Sequence, residues 1–260
     1  MEESKIKLSA VFSDAIEFWK QNLKLILVLG LTVYLPVQIL IEVVSYFLNG
    51  LFTTVDLNTI KLMNNIYEFI RYLIGSVASL GIIFITYSKC SATNDQYTAK
   101  QLLIYGLKRW PKLMLADIIA GFKILLYLLL LIIPGVYKGV KLSFVDCNVS
   151  TKEQSAEEAC DYSESLVGNR WWLVAGFLLL VFICEFLLEA IFAILFLGLL
   201  DSTIIVIIFG VVIKLLETYF IVLKAVFYFK VEKCIPLPKP RLNTTASLPT
   251  ADKFDSVVRI

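Results

Sequence analysis

The stretch IIPGVYKGVK, from Ile132 to Lys141, interrupts the apolar sequence in the middle of this chain. Long apolar runs lie on both sides of it, and an acidic segment between them ends in Gly168-Asn169-Arg170-Trp171. A helix that crosses a bilayer needs roughly 20 mostly apolar residues. The order of apolar runs, turn and acidic segment therefore predicts a multi-pass membrane protein whose crossing helices alternate with helices on the membrane surface.

The composition favours the same class of protein. Of the 260 residues, 58% are hydrophobic, whereas soluble domains have about 45–50% apolar residues. The net charge is only +2, which does not favour a nucleic acid as a partner. The expected partner is the lipid bilayer, and a membrane-protein partner or a homo-oligomer is left open.

The apolar runs predict an all-α polytopic fold with six transmembrane helices. They lie at about 23–48, 66–89, 113–133, 135–149, 171–198 and 203–229. A cytoplasmic amphipathic segment, 1–22, precedes this domain of residues 23–229. The tail, 230–260, is rich in Pro, Ser, Thr and Lys and is expected to be disordered, because such a composition cannot bury a core.

The third and fourth predicted helices form a hairpin around the Pro134-Gly135 turn. Pro134 suits the first residue of a helix, where its missing N–H costs nothing, and Gly135 allows a tight turn. The second arm, 135–149, carries Lys138, Lys141 and Asp146, so it is too polar to face lipid on all sides.

Lysine and arginine residues predict the orientation in the membrane. The segments 1–22, 89–112, 150–170 and 230–260 hold 3, 5, 2 and 6 basic residues, whereas the opposite-side segments hold Lys61 and few others. This asymmetry predicts that both termini are cytoplasmic.

Three cytoplasmic segments are predicted to be amphipathic helices in the plane of the interface. The first is the N-terminal segment. The second, 98–110, begins with a Thr98-x-x-Gln101 capping box, and the third, 150–168, with Ser150-x-x-Glu153. Helical spacing places six residues of the third segment on one face. They are Ala156, Ala159, Cys160, Ser163, Leu166 and Val167.

Charged residues inside the predicted spans are the strongest functional signal. Lys123, Glu185 and Lys214 lie near the middle of three spans. Glu189 lies one turn from Glu185, and Glu217 shares a face with Lys214. A charge at the bilayer centre costs roughly 2.5–3.5 kcal/mol on insertion scales, so these groups must be paired or hydrated. We expect Lys214 to pair with Glu185 and Lys123 with Glu189. Such charges either fix the order of the helices or line a polar cavity for an ion, peptide or lipid headgroup.

Lys138 and Lys141 are a second candidate site. They lie three residues apart, on one face of a helix. Two roles remain open: they hold a phosphate headgroup, or they extend to the outer membrane surface.

The sequence contains no enzyme motif in a plausible context, neither GxSxG, HExxH, a P-loop nor GxGxxG. There is no histidine, and the five cysteines lack metal-ligand spacing. We therefore expect a non-enzymatic protein with no cofactor and no metal, whose thiols are reduced and unpaired.

The residues Ile132-Ile133-Pro134-Gly135, the acidic helix and Gly168-Asn169-Arg170-Trp171 together resemble a bacterial group of six-span membrane proteins. The group includes the YciC-like proteins and the membrane domain fused to some glycerophosphodiester phosphodiesterases. The resemblance covers about 110–235. It implies a six-span protein of the plasma (inner) membrane, without the phosphodiesterase domain and with no catalytic residue.

Two functions follow from these observations. The first is a membrane protein that handles or senses a small substrate, peptide or lipid, which requires a water-accessible cavity lined by Lys123, Glu185 and Lys214. The alternative is a structural or accessory subunit of a transporter or envelope-stress system, including immunity to a membrane-active peptide. In that case the charges would be dry and paired.

Overall fold

The computed structural model describes residues 6–51, 57–91, 96–196 and 203–234, which form nine α-helices and no strand. In chain order they are α1 (Leu8–Gln21), α2 (Leu23–Leu51), α3 (Leu57–Cys90), α4 (Ala99–Leu130), α5 (Ile132–Lys141), α6 (Val145–Thr151), α7 (Ala156–Gly168), α8 (Trp171–Phe196) and α9 (Thr203–Lys233). The predicted all-α class is confirmed. Helix α9 continues past residue 229, the predicted end of the last span, and takes in residues 230–233 of the predicted disordered tail. The rest of that tail, 235–260, lies outside the described residues.

Five helices in the described part of the chain are long and apolar enough to cross a membrane. Their apolar stretches are Leu23–Leu48, Asn58–Cys90, Ala99–Leu130, Trp171–Leu195 and Ile204–Lys233. They coincide with the first, second, third, fifth and sixth predicted spans, and they are compatible with a membrane protein. The predicted count of six is not confirmed.

The fourth predicted span, 135–149, is not one helix. It is divided between α5, with 10 residues, and α6, with 7. Two of its three charges have partners on other helices, since Lys138 pairs with Glu164 of α7 and Asp146 with Lys224 of α9. This arm therefore packs against protein.

The hairpin of α4 and α5 forms, but its hinge differs from the prediction. The helical path breaks at Leu131, which has an extended backbone with φ −165° and ψ 152°. Pro134 falls in the first turn of α5, where N–H groups lack intrahelical partners. Gly135 does not make the turn. A Cβ at this position would lie 2.8 Å from Leu128 Cδ1, so Gly135 instead allows α5 to pack closely on α4.

The second predicted surface helix is part of a longer element. Residues 98–110 form the beginning of α4, which continues through Pro111 to Leu130, although the predicted Thr98 capping box is present. Trp110 Nε1 donates to the Leu73 carbonyl oxygen at 2.7 Å and ties this part of α4 to α3. Residues 98–110 are therefore not a separate surface helix but part of a longer helix that contacts α3.

The third predicted surface helix, α7, has the expected face but a later start. All six residues of its predicted apolar face are buried. The capping box consists of Ser155 and Glu158, and the hydrogen bond from the Ser155 backbone lowers the pKa of Glu158. Ser150 belongs to α6, where its hydroxyl donates to the Leu80 carbonyl oxygen at 2.7 Å.

The first predicted surface helix, α1, packs along the C-terminal part of α9. Trp19 Nε1 donates to Thr218 Oγ1 at 3.1 Å, and Asp14 forms an ion pair with Lys230. Ala15 is completely buried. The helix therefore contributes to the core, and both ends of the described chain lie at the same end of the bundle.

Glu232, near the end of α9, joins three elements at this end of the bundle. It accepts hydrogen bonds from Tyr87 of α3 at 2.9 Å and Tyr162 of α7 at 2.7 Å, and it pairs with Lys152. Burial, reinforced by the Glu232 carboxylate, raises the pKa of Tyr162. The largest completely buried aromatic side chains are Tyr228, Phe84, Phe144, Phe177 and Phe227.

Helices α3 and α4 approach closely at two glycines. A Cβ on Gly81 would lie 3.0 Å from the Leu102 carbonyl oxygen, and one on Gly106 would overlap the Val77 carbonyl oxygen. Small residues permit such backbone contacts between membrane helices. At Gly121, farther along α4, a Cβ would have no neighbour within 4 Å.

The two α4 glycines should therefore respond oppositely to alanine. Gly106→Ala is expected to destabilise the protein by about 1–3 kcal/mol through overpacking. Gly121→Ala is expected to be neutral, or to stabilise by up to about 1 kcal/mol through its helix propensity. Thermal unfolding in detergent, followed by circular dichroism, measures both. Equal Tm values for the two variants would contradict the close contact between α3 and α4.

Candidate functional site

A polar cavity of about 390 Å³ lies where α2, α3, α4, α6, α8 and α9 meet. Its polar and charged lining residues are Tyr34, Glu68, Arg71, Tyr72, Ser76, Ser79, Asp146, Glu185, Lys214 and Glu217. All of these except Asp146 belong to the candidate spans. Polar groups are thus concentrated between helices whose outer surfaces are apolar.

Three carboxylates of the polar cavity are neutralised by neighbouring cations. Two of these pairs connect residues three apart on one helix, and the third connects α6 with α9. The pairs are Glu68 with Arg71, Glu217 with Lys214 at 2.8 Å, and Asp146 with Lys224 at 2.8 Å. In each pair the opposite charges offset the cost of removing the two groups from water.

Glu185 is the remaining carboxylate of the polar cavity. It projects from α8, and no cation among the described residues forms an ion pair with it. The predicted pair of Glu185 with Lys214 is wrong, because Lys214 reaches both carboxylate oxygens of Glu217. Glu189 is exposed and does not line the cavity. The cavity therefore contains one acidic group whose charge is not balanced by a described side chain.

Lys123 lies apart from this cavity. Its Nζ atom is 3.0 Å from Asp161 and 3.7 Å from Glu164, both on α7. The predicted pair with Glu189 is therefore wrong, and so is the predicted place of Lys123 in the cavity lining. The polar face of α7 provides closer partners for Lys123.

The two lysines of α5 have different surroundings. Lys138 Nζ lies 2.7 Å from Glu164 and 5.0 Å from the centre of the Tyr127 ring. Lys141 Nζ lies 4.7 Å from the centre of the Tyr137 ring and forms no ion pair with the described residues. Of the two predicted headgroup contacts, only Lys141 therefore has a positive charge that no described carboxylate neutralises.

Sequence reasoning missed the contribution of α3 to the polar cavity. Glu68 and Arg71 have the i, i+3 spacing of a helical ion pair. However, both fall at the beginning of the predicted span 66–89, where a charged residue is common. Because α3 begins at Leu57, both residues lie well inside the helix. Tyr72 could not be identified from spacing, since its hydroxyl donates to Asp117 of α4.

Cys90, Cys147, Cys160 and Cys184 are free thiols, as predicted. Burial raises the pKa of both Cys147 and Cys160, so neither thiol is activated as a nucleophile. Within the ranges that the structure describes, no group of three or more His, Cys, Asp or Glu residues could hold a metal ion.

Comparison with protein-family models, curated proteins and solved structures finds no match to this chain. The chemistry of the site therefore rests on the geometry of its own residues.

The Lys214–Glu217 pair provides a test of how the polar cavity is stabilised. Lys214→Met should destabilise the protein by about 1–3 kcal/mol, because it leaves a half-buried carboxylate without its donor. Adding Glu217→Gln should restore much of the loss. Equilibrium unfolding of the wild type, the two single variants and the double variant in mixed detergent micelles completes this double-mutant cycle. Lys61→Met, at an exposed position of α3, is the control, and a zero coupling energy between Lys214 and Glu217 would contradict the pairing.

Proposed function

We propose that this protein is a non-enzymatic, multi-pass membrane protein that binds a small solute in the polar cavity, with a positively charged group of the solute facing Glu185. The observation that carries the proposal is the unbalanced carboxylate of Glu185 beside three neutralised ones. An uncompensated charge within a membrane span is costly and marks a functional position. A cationic ligand would supply the missing charge.

The volume and the lining of the polar cavity suit a small ligand. Its volume of about 390 Å³ lies at the lower end of the usual range for small-molecule sites, about 300–1,000 Å³. Tyr34 and Tyr72 line it, and the faces of aromatic rings attract cations. A compact organic ammonium group fits both the charge and the lining.

The accessory-subunit hypothesis accounts less well for these residues. It requires the charges within the spans to be paired and dry. Lys123 and Lys214 meet the first part of this requirement, since each is paired, with Asp161 and Glu217 respectively. Glu185 does not, and its place on a cavity favours solute binding.

The charge preference of the polar cavity can be measured with a thiol at Ser79, another lining residue. In Ser79→Cys, a trimethylammonium methanethiosulfonate should react about tenfold or more faster than the sulfonate reagent, because a charged cleft concentrates the opposite charge. The parent protein gives the background from native cysteines.

The matched pair Glu185→Gln and Glu189→Gln, each combined with Ser79→Cys, identifies the responsible carboxylate. The preference should disappear in Glu185→Gln and persist in Glu189→Gln, since both lie on α8 but only Glu185 lines the cavity. A preference that survives Glu185→Gln, or a thiol that neither reagent reaches, would refute the proposed site.

We also propose that the protein lies in the plasma (inner) membrane, in an arrangement of its helices that the following contacts support. Arg170, just before α8, donates to the carbonyl oxygen of Cys234 at the end of α9. The α4–α5 hinge residues Ile132 and Ile133 line a cleft with Arg170. Tyr87, near the end of α3, donates to Glu232 of α9. The hinge and both flanks of the 90–170 region thus lie near the C-terminal end of α9. We propose that α2, α3, α8 and α9 cross the bilayer and that α4 and α5 form an interfacial hairpin, in place of the six crossings predicted from the sequence.

This topology places both termini and the hairpin at the same side of the bilayer, and the basic segments assign that side to the cytoplasm. Ile133→Cys should react with a membrane-impermeant maleimide only after permeabilisation of intact cells. Lys61→Cys, near the other end of α3, should react without it. Labelling of Ile133→Cys from outside would instead support the six-span arrangement.

A further inference from the structure

A broad cleft of about 970 Å³ lies between the beginning of α5 and the corner from α7 to α8. Apolar side chains line much of it, and they are unusually accessible: Ile133 and Trp172 are each 83% exposed, and Ile132 is 73% exposed. An apolar surface of this kind needs apolar surroundings. We call this region the aromatic cleft.

The wall of the aromatic cleft is an ordered pair of rings. Tyr137 and Trp171 stack with their centroids 5.4 Å apart, and Trp171 Nε1 donates to the Tyr137 carbonyl oxygen at 3.1 Å. Trp171 is also the first residue of α8, a candidate span. Tryptophan and tyrosine are enriched where a span meets the headgroups, so the cleft lies at the depth of the membrane interface.

Two cations border this apolar surface. Arg170 lines the aromatic cleft, and Lys141 lies over the ring of Tyr137. Neither forms an ion pair with a described residue, and no acidic residue is among the described residues that line the cleft. Lys138, by contrast, is neutralised by Glu164. The cleft thus combines an apolar surface with one cation in its lining, Arg170, and a second, Lys141, on the ring that forms its wall.

We propose that the aromatic cleft binds a phospholipid with a negatively charged headgroup. The phosphate lies between Arg170 and Lys141, where it accepts charge-assisted hydrogen bonds, and an acyl chain covers Ile133 and Trp172. The unpaired N–H groups in the first turn of α8 favour negative charge at the same place. This site is separate from the polar cavity, and its ligand has the opposite charge.

Trp172 provides an intrinsic probe for this site. The protein is reconstituted into phosphatidylcholine nanodiscs that contain either dibrominated phosphatidylglycerol or dibrominated phosphatidylcholine at equal mole fraction. The fluorescence difference between wild type and Trp172→Phe isolates the quenching of Trp172. Half-maximal quenching should need a lower mole fraction of brominated phosphatidylglycerol than of brominated phosphatidylcholine. We expect the apparent affinity for the anionic lipid to be higher by about fivefold for each of the two cations.

Three variants assign the selectivity to the aromatic cleft. Lys141→Gln should lower the ratio of affinities by about fivefold, and Arg170→Gln with Lys141→Gln should bring it close to one. Lys100→Gln removes an exposed cation at the beginning of α4 and should leave the ratio unchanged. The Lys141 side chain forms no ion pair with a described residue, so its single variant remains informative if the double variant unfolds.

The proposal is overturned by any of three results. Equal quenching by the two brominated lipids in wild type would show that the cleft does not select charge. An unchanged ratio in Lys141→Gln would exclude this cation from the site. An equal loss of selectivity in Lys100→Gln would assign the effect to the general surface charge.

Discussion

The ion pair between Asp146 of α6 and Lys224 of α9, at 2.8 Å, is the constraint on which the central packing depends. Each partner lies in an apolar part of the chain, where an isolated charge would be expensive. Because they neutralise each other, the two charges can meet between α6 and α9, while α6 itself packs against α3, α4 and α7. This contact also closes one side of the polar cavity, which Asp146 lines.

A second set of charges makes the hairpin of α4 and α5 amphipathic. Its lysines, Lys123 and Lys138, both reach Glu164 of α7, and Lys123 also reaches Asp161. The opposite side of the hairpin exposes aliphatic and aromatic residues. They include Ile118, Phe122, Leu129, Leu130, Ile132 and Ile133. The hairpin is therefore held to protein by charges on one side and is apolar on the other, which is the pattern that the proposed interfacial position requires.

Periodicity and apolar length predicted the parts of this fold that are encoded locally. The buried face of α7 follows from its 3.6-residue repeat, and the five long helices follow from sustained apolar composition. The continuity of α4 was missed because Pro111 indicates a boundary, whereas the helix continues through it and is tied to α3 by the Trp110 contact with Leu73. Glu232 was also missed, because its partners Tyr87 and Tyr162 are distant in sequence.

The candidate site was predictable to a different degree. Glu185, Lys214 and Glu217 were identified because charge within an apolar run is visible in the sequence. The pairing of Lys214 with Glu217 could have been predicted from their i, i+3 spacing, which needs no knowledge of neighbouring helices. The isolation of Lys123 could not, because it depends on where α7 packs. Sequence thus identifies groups that need a partner, whereas tertiary contacts select the partner.

The polar cavity and the aromatic cleft have opposite electrostatic characters, and this difference limits what each can bind. Glu185 leaves an unbalanced negative charge among the spans, whereas Arg170 and Lys141 leave positive charges beside the first turn of α8. The interaction between separated charges is weak in water but stronger in a medium of low dielectric constant. An anionic lipid held at the cleft would neutralise the positive charge there. It would not compete with a solute for the polar cavity, because the two sites have different lining residues. A cationic solute would be disfavoured at the cleft and favoured beside Glu185, so the two sites can be occupied together by ligands of opposite charge.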